Sequence, residues 1–172
     1  MAFEPLDLLE VLAKHSVEFV LIGGIAAAAR GSPTTTVDLD VCYRRTVGNL
    51  RRLATALRSV DARLRGVSED VPFLLEAETL SAGDHFTLST SLGDLDLLGT
   101  PAGTAGFDEL VRGATDVDLD GLTVKVASLD DLIRMKKAAG RPKDRVELEI
   151  LAALRDELSA RSESDSDPHD PG

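Results

Sequence analysis

The apolar positions of the chain change period several times, and each change predicts an element. Leu6, Leu8, Leu9, Val11 and Leu12 predict a first helix ending near His15. Glu18 to Ile22 (EFVLI) is a short, β-rich apolar run halted by Gly23-Gly24, which predicts a buried strand. Ile25 to Arg30 is Ala-rich and helical, and Gly31 and Pro33 break it. From Thr36 to Tyr43 the pattern alternates, with Val37, Leu39 and Val41 on one face and Asp38, Asp40 and Cys42 on the other. Gly48 to Leu64 predicts a basic amphipathic helix, Phe86 to Leu98 a hairpin turning near Gly93, and Leu122 to Val126 a further strand. Ser128, with Asp131 three residues on, caps a helix running to about Ala139. Arg141-Pro142 then opens the last helix, with Pro at a permitted first-turn position. Interleaved strands and helices predict an α/β (α+β) sheet with helices on at least one face.

Composition sets the outer limits. A chain of 172 residues, 43% of them hydrophobic, has the length for one domain and the apolar content for its core. Residues 159–172 contain no large apolar side chain and carry a net charge of −3. They predict a disordered acidic tail after a single folded domain of residues 1–158. No apolar run approaches the ~18–20 residues of a membrane span. Glu4, Asp7, Glu10 and Glu18 oppose a signal peptide. With Cys42 as the one cysteine, a reducing, cytoplasmic location without a membrane partner is expected. The net charge of −11 excludes an indiscriminate nucleic-acid coat, which needs clustered Lys and Arg.

Asp38 and Asp40 carry the most chemical information. Two residues apart on a strand, they project from one face about 6–7 Å apart at the backbone. Like charges on an otherwise apolar strand resist burial unless a cation sits between them, and a hard divalent ion such as Mg²⁺ suits two carboxylates plus phosphate. A solvated sheet edge is the plainer account of the same pair. Gly23-Gly24 follows a buried strand and opens a helix, so it reads either as a tight turn or as a close approach for phosphate.

The order apolar-Gly-Gly, helix, Asp-apolar-Asp-apolar, with thirteen residues between Gly24 and Asp38, resembles the signature of the DNA polymerase β-like nucleotidyltransferase superfamily. The resemblance implies a mixed twisted sheet flanked by helices and ending in a helix pair. It implies that Gly23 and Gly24 hold a nucleoside triphosphate (NTP), that Asp38 and Asp40 hold two Mg²⁺ ions, and that a third acid comes from a later strand. Leu95-Asp96-Leu97-Leu98 matches that strand, with Asp96 as the third acid and Asp94, on the same face, as the alternative. At finer grain, FVLIGGIAAAARGSPTTTVDLDV resembles the subgroup of AbiEii-type toxins and related small nucleotidyltransferases. VASLDDLIRMKKAAGRPKDRVELEIL resembles that subgroup's C-terminal helices. Many relatives carry a basic residue where this chain has Thr34. The implied reaction moves a nucleoside monophosphate from an NTP to an acceptor hydroxyl and releases pyrophosphate. The implied acceptors are a tRNA 3′ end, slightly favoured, a protein side chain, or a small antibiotic. A toxin of this kind would have a protein antitoxin as a partner.

The cations complete the picture. Lys136 follows Leu129, Leu132 and Ile133 at helical spacing, so it falls on the apolar stripe. It predicts an ion pair with Asp144 on the next helix, a contact with the triphosphate, or both. Arg44, Arg45, Arg51, Arg52, Arg58, Arg63 and Arg65 place seven of the nineteen positive charges in twenty-two residues. That run is a solvated face or a stripe for an RNA backbone or an acidic protein. Two other classes share some of these features. A non-catalytic nucleotidyltransferase-fold binding module would keep the fold without turnover, and a glycosyltransferase would use Asp-x-Asp but leave Gly23-Gly24 unexplained.

Overall fold

The computed structural model describes residues 2–165. Helix α1 (Pro5–Lys14) leads into strand β1 (Phe19–Ile22), and helix α2 (Gly23–Ala29) follows without a loop. Strand β2 (Asp38–Tyr43), helix α3 (Val47–Ser59) and the two-residue strand β3 (Arg63–Leu64) come next. Helix α4 (Ala77–Ala82) precedes the hairpin of β4 (His85–Thr90) and β5 (Gly93–Leu98). Helix α5 (Phe107–Gly113) leads to a second hairpin, β6 (Thr115–Leu119) and β7 (Leu122–Val126). Helix α6 (Leu129–Ala139), a 3₁₀ turn (Pro142–Asp144) and helix α7 (Arg145–Asp165) close the described chain. The seven strands form one mixed sheet in the order β3-β4-β5-β2-β1-β7-β6. This is the expected α/β architecture.

Register is what builds the site. β2 and β5 run parallel, with Asp38 beside Asp94, Leu39 beside Leu95, Asp40 beside Asp96 and Val41 beside Leu97. β4 pairs antiparallel with β5, placing Phe86 beside Leu97 and Leu88 beside Leu95. One face is therefore a continuous apolar surface of Leu39, Val41, Phe86, Leu88, Leu95 and Leu97, all buried. The opposite face carries four aspartates in two adjacent rows. Leu8, Leu9 and Leu12 of α1 and Leu50, Leu53 and Leu57 of α3 join the same core. Arg30, at the end of α2, donates to the carbonyls of Val126 and Ala127 at 2.7 and 3.0 Å, tying that helix to β7.

Several expectations need correction. The basic helix ends at Ser59 rather than Leu64: Asp61 takes a left-handed conformation (φ 51°), and Arg63 and Leu64 instead pair with Ser89 and Leu88 of β4. Val37 lies outside β2 and is exposed, so the alternation begins at Asp38. Helix α7 continues seven residues beyond Leu158 to Asp165, with Arg161 paired to Glu157 one turn earlier and residues 159–165 exposed. Residues 166–172 of the expected tail lie outside the described residues. Ser128 does cap α6, accepting from the Asp131 amide at 3.1 Å.

Candidate active site

The parallel β2–β5 register delivers the acids, and α2 and α6 close over them. Asp38, Asp40 and Asp96 each offer a carboxylate oxygen, and these oxygens lie within 4.8 Å of one another. A cavity of about 390 Å³ opens beside them. Its wall includes Gly23, Asp40, Asp96, Lys136 and Arg141, so strand, glycine turn and C-terminal helices meet at one place.

The two glycines have separate reasons to be glycine. Gly23 has φ 69°, and a Cβ there would come within 2.1 Å of the Asp40 carboxylate oxygen. A Cβ on Gly24 would approach the Thr36 Cβ to 2.7 Å. Thr36 in turn donates its hydroxyl to Asp38 Oδ1 at 2.8 Å, so Gly24 makes room for the residue that orients Asp38.

The acids differ in their partners. Arg65 donates from Nη2 to Asp96 Oδ1 at 2.7 Å, and its Nε lies 3.3 Å from Asp94 Oδ2. Ser89 donates to the other Asp94 oxygen at 3.1 Å. The three-acid group contains Asp96 and not Asp94. Among the described residues, no Lys or Arg forms an ion pair with Asp38 or Asp40. Burial, then the charges of Asp38 and Asp96, push Asp40 up to about 7, against a smaller opposing pull from Arg141. A closely spaced, all-oxygen set of three carboxylates fits a hard divalent ion.

Lys136 is where the helical spacing puts it, three-quarters or more buried and lining the cavity. Its Nζ lies 3.5 Å from Asp144 Oδ1 and also pairs with Glu147. Asp144, 3% exposed, accepts from Arg141 Nε at 2.8 Å. Burial would raise Asp144, but the hydrogen bond and charge of Arg141 and the charge of Lys136 outweigh it and hold the carboxyl below its ordinary value. The expected Lys136–Asp144 pair is present, with Arg141 and Glu147 as members that spacing alone did not supply.

The arginine-rich segment does not form a stripe. Arg44 and Arg52 both pair with Glu18, Arg45 with Asp84 at 2.6 Å, and Arg65 with Asp96. Arg58 donates to the Leu75 carbonyl. Arg65 is the site residue that sequence reasoning missed. The sequence pattern groups it with the other arginines of residues 44–65, whereas the break at Asp61 turns the chain into β3, directly after which Arg65 lies. Cys42 shares the aspartate face but is fully buried, and burial, with a smaller push from Asp84, raises its thiol to about 12. A nucleophilic role for it finds no support there.

No protein-family model and no curated protein matches the sequence. Solved structures do match. The antibiotic-resistance factor ANT(2″)-Ia, in its solution structure, aligns at 16% identity over 91% of this chain and 90% of its own, with a TM-score of 0.53. Its crystal structure in complex with adenylyl-2″-tobramycin aligns at 17% identity over 90% and 94%, with a TM-score of 0.52. An inferred nucleotidyltransferase from Thermotoga maritima aligns at 18% identity over 93% and 98%, with a TM-score of 0.50. Across about nine-tenths of its length, this chain shares the fold of these solved structures.

Proposed function

We propose that this protein is a metal-dependent nucleotidyltransferase that moves a nucleoside monophosphate from an NTP to an acceptor hydroxyl and releases pyrophosphate. The observation that carries the reading is the convergence of Asp38, Asp40 and Asp96 beside a cavity that Gly23, Asp40, Asp96 and Lys136 line. In this reading the three acids hold divalent cations, with Mg²⁺ the economical choice and two ions the family pattern. Such ions supply Lewis-acid activation of the hydroxyl and neutralise charge on the triphosphate.

The chain's own groups do the rest. Gly23 and Gly24 hold the triphosphate by their backbone amides. The acceptor oxygen forms a bond to the α-phosphorus as the bond to the pyrophosphate oxygen breaks, and Asp96 takes the hydroxyl proton. Lys136, held by Asp144 and Glu147, offsets charge developing on the leaving pyrophosphate. Asp38 is held ready by Thr36.

A small hydroxylated molecule is the favoured acceptor. The cavity has the volume of a small-molecule site, and beyond the acids its wall is largely apolar, with Asp84, His85 and Thr100 among its polar members. ANT(2″)-Ia, of the same fold, is found with an adenylylated tobramycin. The arginines that leaned toward RNA are largely taken up in pairs within the molecule. A tRNA 3′ end as acceptor, with a toxin role and a protein antitoxin, is the second reading and rests on the AbiEii-like sequence blocks.

One experiment separates these readings. Each labelled NTP is offered with Mg²⁺ and, in turn, with aminoglycosides or lincosamides and with total tRNA. Label on a small molecule supports the first acceptor, label on RNA the second. Full metal-dependent activity in Asp38→Ala and Asp40→Ala variants would remove the site assignment. A non-catalytic binding module is the answer if calorimetry finds nucleotide binding without transfer to any acceptor.

A further inference from the structure

The guanidinium at the edge of the acidic face has no task in the reaction as drawn. Arg65 follows the short strand β3, and its amide donates to the Thr87 carbonyl at 2.9 Å, extending the pairing with β4. Its side chain reaches past β4 to β5. There Nη2 is shared between the Leu88 carbonyl at 3.0 Å and Asp96 Oδ1 at 2.7 Å, while Nε lies 3.3 Å from Asp94 Oδ2. Acceptors on two strands, the Leu88 carbonyl and Asp96, therefore hold Nη2, while Nε stays beside the Asp94 carboxylate as an ion-pair neighbour without a hydrogen bond. The planar guanidinium spans the two acids, which lysine's point-like ammonium does not. With side chains 30% and 15% exposed, Arg65 and Asp96 form a sheltered pair.

Two effects of this pair oppose each other. A positive charge beside the three acids weakens the attraction for a cation. A carboxylate held by one oxygen, by contrast, presents its other oxygen in a fixed direction, which strengthens coordination. The two acceptors that share Nη2, with the Asp94 carboxylate alongside Nε, also limit the freedom of the guanidinium to swing away.

We propose that Arg65 is a positioning residue: it commits Asp96 Oδ1 to the guanidinium and leaves Oδ2 for the cation, and orientation outweighs charge. The inference rests on the metal-dependent reading of the three acids. The test is Mn²⁺ binding to the full chain, followed by electron paramagnetic resonance and calorimetry without nucleotide. Wild type, Arg65→Lys and Arg65→Gln are compared, with circular dichroism confirming the fold of each. Both variants are expected to bind Mn²⁺ about 10–100-fold more weakly, the range found when groups that orient metal ligands are removed. Arg65→Lys binding within about twofold of wild type, or Arg65→Gln binding more tightly, overturns the proposal, since charge would then dominate. Where Arg65→Gln melts below the titration temperature, Arg65→Lys alone decides. Wild-type protein with no saturable Mn²⁺ binding would overturn the proposed function and this inference together. Wild-type binding with an unaffected Arg65→Lys overturns the inference alone.

Discussion

Replacing Asp40 with Asn should stabilise the metal-free protein, and the gain should depend on pH. In the fold the Asp40 carboxyl is raised from 3.8 to about 7, chiefly by burial and then by Asp38 and Asp96. As pH rises past 3.8 the unfolded chain ionises first while the folded protein keeps its proton. The folded state binds more protons across that window, so this group lowers stability progressively from about pH 4 to pH 7. Some three pKa units at 1.36 kcal/mol each set a ceiling of about 4 kcal/mol above pH 7. The difference should shrink to about 1.5 kcal/mol at pH 5 and vanish near pH 4. For a domain of this length, each kcal/mol moves the melting temperature by about 2–4 °C. Thermal melts of wild type and Asp40→Asn in chelator, from pH 4 to pH 8, give the readout. Saturating Mg²⁺ should stabilise wild type, by about 2.7 kcal/mol at a hundred times its dissociation constant, and not the variant. If Asp40→Asn melts at or below wild type at pH 8, or if the gap fails to narrow toward pH 5, the electrostatic account of the site is wrong.

Other changes probe the surroundings of the acids. Gly23→Ala puts a Cβ against Asp40 and an L residue at φ 69°. It should cost about 1–3 kcal/mol in denaturant titrations and lose cation binding by calorimetry. Asp144→Asn leaves Lys136 and Arg141 without their shared buried carboxylate, and should cost about 3 kcal/mol at pH 7. Because the Asp144 carboxyl is held below its ordinary value, its contribution is present above about pH 4 and lost as pH falls through the folded value. Urea melts should therefore converge for wild type and Asp144→Asn in strong acid. Truncation after Leu158 removes, among the described residues, only the exposed last turns of α7, and should change stability by less than about 0.5 kcal/mol in the same assay.

The elements nearest the chemistry were legible because their patterns are unambiguous. A four-residue apolar strand stopped by two glycines, and an Asp-apolar-Asp-apolar alternation, admit few other readings. The local pattern could not show that β2 and β5 lie side by side and parallel. That pairing joins residues more than fifty positions apart, and it turns Asp96 from a motif match into a neighbour of Asp40. β6 was missed although Thr115 to Leu119 alternates and is followed by Asp120-Gly121, both at positive φ, which is a hairpin signal. Short helices α4 and α5 offered too few turns for a period. Arg65 was misread for a different reason. Seven arginines within twenty-two residues suggest a common surface, while the fold pairs most of them separately.

The parallel pairing of β2 and β5 has a consequence for how the molecule can go wrong. Asp38-Leu39-Asp40-Val41 and Asp94-Leu95-Asp96-Leu97 are near-repeats of one another. A slip of one residue would turn every acid into the apolar layer and is strongly opposed. A slip of two residues would not. It would still set one acid beside an acid and one leucine beside a leucine, with Asp38 beside Asp96 and Leu39 beside Leu97, displaced by roughly 6–7 Å along the strand. It would also bring Asp40 beside Leu98, and that mismatch, with the flanking pairings of β1 with β2 and β4 with β5, opposes it. A mispaired population would resemble native protein in secondary structure while its acids sat out of step, so the fraction of purified protein able to take up a cation reports how faithfully the chain folded.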